Sequence, residues 1–226
     1  MPEADLDREV RIAVARSIKT RGKIPTIEAV ASDFGKDVAT VDASFARLIE
    51  GRVFQPRKDS HEIYAYNPFC AEPTDFFVTA AGRVWFAIDA WDALGIPAAL
   101  GEPGIVETHC ADCNASLAVE VDADGATEVQ TWTVMQVGVP ARDFWNDIDY
   151  TVSTVLLFHS EEHAERWRER AKPPASTILA IEQATALAHA WYRNKLDPDW
   201  RRFTADEAEA LFDDLGLDTD FWRLSA

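Results

Sequence analysis

From Pro68 onward the chain moves between short strand-like runs and helical runs without repeating a strand-helix-strand unit. Parallel doubly wound and barrel architectures need that repeat, so the pattern points to an α+β domain of mixed strands and helices. "DFFVTAAGRVWFAI" reads as a hairpin turning at Ala81-Gly82, followed by a helix that Pro97 should limit. "GIVETHC" and "ASLAVEVDADG" read as strands on either side of a cysteine turn, and "ATEVQTWTVMQVGV" as another strand. "ARDFWNDIDYTVSTVLLF" is a short helix leading into an apolar stretch, and "SEEHAERWRERA" a helix opened by Ser160. "TILAIEQATALAHAWYRNKL" reads as one longer amphipathic helix, and "TADEAEALFDDLGL" as another ending at Gly216.

The first 66 residues have a different texture. Asp7 to Arg21 predicts a helix carrying Val10, Ile12, Ala13 and Ile18, and two more helices follow, with Thr26 and Asp37 as caps and a Phe34-Gly35 turn between them. "RVFQPRKDSHEIYAYNP" then alternates like a hairpin around Lys58 to His61. Three helices and a hairpin describe a winged-helix-like unit, which gives a division into residues 1–66 and 67–226. Such units often bind DNA, but this one carries 11 Lys+Arg against 11 Asp+Glu, and its third helix offers only Lys36 and Arg47 near its exposed side. Basic surface supplies most non-specific affinity, so a packing or lid module is the better expectation.

The formal charge of −17 therefore arises entirely after residue 66, where 11 basic residues face 28 acidic ones. A surface of that sign repels nucleic acid and anionic lipid and aids solubility. The N-terminus "MPEADLDREV" has no basic-then-apolar signal. No apolar run approaches the roughly 20 residues of a membrane span, so a soluble, cytoplasmic protein is expected. The three cysteines, Cys70, Cys110 and Cys113, are an odd number, and two of them form a C-x2-C pair. That usage suits a reducing compartment, and metal or redox chemistry rather than a disulfide framework.

Three groups could carry chemistry. In "FAIDAWDALGIPAAL" the aspartates Asp89 and Asp92 stand three apart, so on a helix both carboxylates emerge from one face among Ile88, Trp91, Leu94 and Ile96. Like-charge repulsion and desolvation would raise the pKa of one of them, placing an acid and a base side by side; aspartates that simply face water are the alternative. "THCADC" is half of a zinc site, which Cys70 and one of His61, His159 or His163 would complete only if the fold brings them close. Eight tryptophans are mostly core material, though Trp85 and Trp91 beside the carboxylates could line a pocket for an apolar ligand. There is no P-loop, G-x-G-x-x-G, G-x-S-x-G or H-E-x-x-H motif.

The series "VWFAIDAWDALGIPAALG", "IVETHCADCNASLAVEV" and "DYTVSTVLLFHSEEHAERW" resembles the alkylmercury (organomercurial) lyase family, and "WYRNKLDPDWRRFTADEAEALFDDLGLDTDFWRL" is similar to the tail of one of its branches. The resemblance extends to that family's winged-helix-like N-terminal domain. It implies an α+β fold in which the three-helix unit precedes an alkylmercury-lyase-like mixed strand and helix domain. In the family two cysteine thiolates capture the mercury of R-Hg⁺, and an aspartate three residues after the first cysteine helps deliver the proton that cleaves the carbon-mercury bond. Mercury is soft, so thiolate suits it and carboxylate does not. Residue by residue, the family's aspartate falls on Asp92, its first cysteine on Asp89 and its second on Val152, next to Tyr150 in "YTVSTVLLF"; both thiols are missing. Cys110 matches a cysteine outside the family's catalytic core, and Cys113 belongs to a C-x2-C common in the branch.

Three readings follow. The first is a repurposed lyase-type enzyme that uses Asp89 and Asp92 for proton transfer on a small organic molecule, with Trp91, Trp85, Val152 and Tyr150 around the pocket and no resident cofactor. The second is a residual organomercurial lyase or metal-binding protein that holds zinc or another soft metal at Cys110 and Cys113. The third is a non-catalytic, ligand-sensing regulator.

Overall fold

The structure is a computed structural model that describes residues 3–125 and 132–225. Three helices open the chain: α1 (Glu3–Arg21), α2 (Ile27–Phe34) and α3 (Val38–Glu50). Leu6, Val10, Val14 and Ile18 recur every four residues along α1 and form its buried stripe. Thr26 and Asp37 cap α2 and α3 as expected, and Gly35 ends α2 in the left-handed region at φ 59°.

Strands β1 (Gln55–Pro56), β2 (Ile63–Tyr66) and β3 (Phe69–Cys70) lead into the hairpin of β4 (Phe76–Ala80) and β5 (Arg83–Ala87). Helix α4 (Ala90–Leu100) follows, then β6 (Gly104–His109) and β7 (Ser116–Val121), which flank the cysteine turn. Next come β8 (Val134–Val137), α5 (Ile148–Ser153), β9 (Leu156–Phe158), α6 (Glu161–Ala171), β10 (Thr177–Ala180), α7 (Ile181–Tyr192) and α8 (Ala205–Asp214). Among the described residues the strands form an antiparallel sheet in the order β1-β2-β3-β5-β4-β6-β7 and a smaller one in the order β10-β8-β9. The pairing Ala65↔Cys70 makes the first sheet continuous from the N-terminal hairpin into the larger part of the chain. No helix among the described residues is long and apolar enough to cross a membrane.

Several expectations need correction. Pro97 does not end α4, which continues to Leu100 and stops at Gly101 with φ 69°. The proline removes one backbone bond, but every residue from Ala90 to Ala99 is buried, and that packing outweighs the loss. Thr177–Ala180 is a strand rather than the first turn of a long helix, because the edge of β8 takes it in register from Thr177↔Val137 to Ala180↔Val134. A short apolar run with Thr and Ile satisfies either period, and tertiary pairing decides. Helix α6 does open at Ser160 as expected, which stands at its N-cap without a side-chain cap bond. The strand expected over "ATEVQTWTVMQVGV" is present at Val134–Val137, and residues 126–131 of that run lie outside the described ones.

Helix α4 lies at the centre, with β4, β5 and β6 on one side and α7 on the other. Gly95 makes the second contact close: a Cβ there would sit 2.1 Å from Cδ2 of Tyr192. Gly95→Ala is expected to push Tyr192 aside and to cost about 1–3 kcal/mol by overpacking, read as a lowered midpoint in denaturant unfolding. An unchanged midpoint would show that α4 and α7 are free to separate.

Candidate functional site

Asp89 is the N-cap of α4, extended at φ −153°, and its carboxylate accepts the backbone N–H of Asp92 at 2.8 Å. Asp92 lies in the first turn. Both are buried, with 7% and 2% of their surface exposed. The Asp92 carboxylate accepts the Tyr192 hydroxyl from the end of α7 on one oxygen and the Asn67 amide N–H at 2.6 Å on the other. Buried Lys195 lies nearby, with its ammonium 4.2 Å from the ring centre of Tyr66 and 3.7 Å from that of Trp200.

Burial sets the protonation of this group. It pushes Asp92 up to about 6, against the opposing pull of the Tyr192 bond, the Lys195 charge and the Asn67 bond. It also raises Asp89 well above the ordinary carboxylate range, with the Asp92 charge adding to the effect, and its bonds to backbone N–H groups only partly offset this. Tyr192 is held well above its ordinary range by burial and by the carboxylates, and burial drives Lys195 well below its own. The arrangement thus sets two carboxyl groups side by side, both raised above the ordinary range by burial.

The pair opens on a cavity of about 370 Å³. Its floor is Asp89, Asp92, Asn67, Tyr192 and Lys195, and Trp91, Phe144, Trp191, Trp200 and Phe203 give it aromatic walls. Trp91 packs 5.4 Å from Trp191 and 6.1 Å from Phe144, centre to centre, so the apolar side is one interlocked cluster. Arg52, Val53 and Gln55 from the N-terminal part and Val152 from α5 close the remaining sides. Arg11 of α1 helps hold the wall: it donates to the carbonyls of Asp197 and Pro198 and lies 5.6 Å from the Trp200 ring.

A second cluster lies apart from this cavity. The ligand atoms of Cys110, Cys113 and His163 all fall within 4.8 Å of one another. Cys110 is buried and Cys113 exposed. His163 Nδ1 is also 2.8 Å from Asp112, whose carboxylate is paired with Arg166 at 2.7 Å and Arg170 at 2.6 Å. Those guanidinium contacts hold Asp112 below the ordinary carboxylate range. The donor set of two thiols and an imidazole could hold a soft metal, with one position left open in a tetrahedral site. Cys70 and His159 are not part of the group, and His61 is bonded to Asp42 at 2.9 Å.

The sequence profile of alkylmercury lyases matches residues 69–193, more than half of the 226 residues. The chain belongs to the alkylmercury lyase family. A search of curated proteins returned no match. Among solved structures, the crystal structure of the mercury-bound form of MerB2 superposes with a TM-score of 0.64 at 22% identity, covering 83% of this chain and 91% of that one. At that identity the likeness is one of fold.

Within this alkylmercury lyase fold the structure brings Asp89, Asp92, Trp91 and Val152 to one cavity. Trp85 is elsewhere: its ring packs 5.3 Å from Phe69, its indole N–H donates to the Ala80 carbonyl at 3.0 Å, and it is absent from the cavity lining. Tyr150 is half-exposed and faces a separate depression with Asn146 and Pro174. Both lie close in sequence to lining residues, but strand and helix geometry send them to another face. Asn67, Tyr192 and Lys195 were missed. Their signal was polar residues closing an apolar helix in "WYRNKL", and an asparagine between two strands, neither of which names a partner.

Because Asp92 rises from 3.8 to about 6 in the folded protein, ionising it opposes folding. Its contribution to stability is complete below about pH 4 and is lost as pH climbs through the folded value. Asp92→Asn is expected to gain on the wild type across that window by up to about 3 kcal/mol, measured by denaturant unfolding of both proteins at the two ends. A difference that stays flat with pH would place an ordinary carboxylate at position 92.

Proposed function

We propose that this chain is a repurposed lyase-type enzyme of the alkylmercury lyase family that moves protons on a small organic molecule through Asp89 and Asp92. The observation that carries the reading is the buried Asp92 carboxylate, raised to about 6 and held by Tyr192 and Asn67 beside Asp89 at the floor of an aromatic cavity. Asp92 accepts a proton from carbon or a heteroatom of the substrate, and Asp89 returns one to the developing anion. Tyr192 and Asn67 fix the base in place, while Trp91 and Val152 shape the space above it. None of the three cysteines lines this cavity, so the thiolate pair that a soft metal requires is not supplied there. Read from the sequence resemblance, Asp89 and Val152 take the places of the family's two cysteines, and both line the cavity.

Residues 1–66 are read as a winged-helix-like module that serves as a wall of the site and not as a nucleic-acid reader. Its balanced charge and its contribution of Arg52, Val53 and Gln55 to the cavity support this. Free thiols suit a cytoplasmic setting. The reading requires no resident cofactor.

Anaerobic incubation with phenylmercury, following benzene release, tests the proposal first. No benzene beyond a single turnover is expected, and sustained release would overturn the loss of mercury chemistry. On an organic substrate, Asp89→Asn and Asp92→Asn should each lower turnover by about 10²- to 10⁴-fold; full activity in either removes that residue from the mechanism.

A second reading is supported by the cluster of Cys110, Cys113 and His163, whose ligand atoms lie within 4.8 Å of one another. As a metal-binding protein, the chain would take up zinc stoichiometrically and lose it in Cys110→Ser and His163→Ala. Zinc uptake unchanged by both substitutions would remove the site.

A further inference from the structure

The cavity's mouth has a charge opposite to that of the protein around it. Arg52 and Arg202 lie over the same indole, with their guanidinium carbons 5.1 Å and 5.2 Å from the centre of Trp145, and both line the cavity. Arg142 lines it as well. Among the described residues neither Arg52 nor Arg202 has a carboxylate partner, although the chain carries 39 acidic residues. Among the described residues Arg202 donates only to the Gly51 carbonyl, at 3.1 Å. The adjacent Arg201 is fully paired with Glu207, so local sequence does not prevent pairing. Burial presses Arg202 below its ordinary range and the nearby charge of Arg52 adds to the effect.

We infer that Arg52 and Arg202 form a receptor for the carboxylate of an organic acid, whose apolar body then lies between Trp91, Phe144 and Trp191 above the aspartate pair. This rests on the proton-transfer reading and narrows its substrate to a monoanion carrying a ring or a short apolar chain. Two forked guanidinium groups on one indole match the two oxygens of a carboxylate. A cavity of about 370 Å³ with aromatic walls suits a molecule of about benzoate to phenylpropanoate size. The ionised Asp92 at the floor disfavours a second negative charge, which argues for a carboxylate over a phosphate or phosphonate dianion. With the rest of the chain strongly acidic, a small anion reaches this protein only where cations have been concentrated.

Calorimetric titration at neutral pH and low salt tests the inference, with benzoate, phenylacetate and 3-phenylpropanoate set against their uncharged amides and against phenylphosphonate. At least one acid is expected to bind about tenfold more tightly than its amide. That preference should disappear in the double variant Arg52→Gln/Arg202→Gln, in which acid and amide are expected to bind equally, with an unfolding midpoint matching the wild type's showing that the fold is kept. Three results overturn it: no acid binding better than its amide, a preference that survives the double variant, or phenylphosphonate binding more tightly than benzoate. The two proposals fail separately. Sustained benzene release from phenylmercury by a protein that still prefers acids would end the proton-transfer reading and leave the receptor standing. Loss of the acid preference with inactive Asp89→Asn and Asp92→Asn variants would do the reverse.

Discussion

A carboxylate inside an apolar helix is the constraint on which this structure depends. Asp92 sits in the first turn of a segment whose every residue from Ala90 to Ala99 is buried, where an unpartnered charge would cost far more than one helix could repay. The chain meets that cost with groups from separate places: Asn67 between two strands, Tyr192 at the end of α7 and Lys195 just beyond it. Gly95 is part of the same solution, because only a residue without a side chain lets Tyr192 approach α4 closely enough. Support of this kind leaves Asp92 partnered and yet reluctant to ionise, and a proton-transfer group needs both properties.

The aspartate pair was legible in the sequence because the i, i+3 spacing on a helix is a local property, and the structure keeps both residues buried together. The helix caps at Thr26 and Asp37 and the Ala81-Gly82 turn were legible for the same reason. What stayed hidden depends on long-range placement. Nothing near Tyr192 announces that its hydroxyl meets a residue 100 positions earlier, and nothing in "TILA" decides between strand and helix until β8 offers its edge. Trp85 shows the converse error. Its closeness to Asp89 in sequence suggested a shared pocket, whereas the strand directs its ring into the core against Phe69.

Within this chain the cavity and the thiols lie apart. The cysteines are on the turn between β6 and β7 and on β3, and the cavity retains carboxylates, a phenol and an amide. That set is hard in character and suited to protons, whereas the Cys110, Cys113 and His163 cluster is soft and lies elsewhere. Hard and soft donor sets are therefore separated in space.

The family profile ends at residue 193 and begins at 69, yet much of the cavity comes from outside those limits. Arg52, Val53, Gln55 and Asn67 precede the matched stretch, and Lys195, Trp200, Arg202 and Phe203 follow it. The matched core thus supplies half of the lining, including the two aspartates, the tyrosine, Trp91, Phe144 and Trp191, and the flanking segments supply the other half. Such a division is modular: changes in the flanks would reshape the entrance and, apart from Asn67 and Lys195, leave the floor of the cavity untouched.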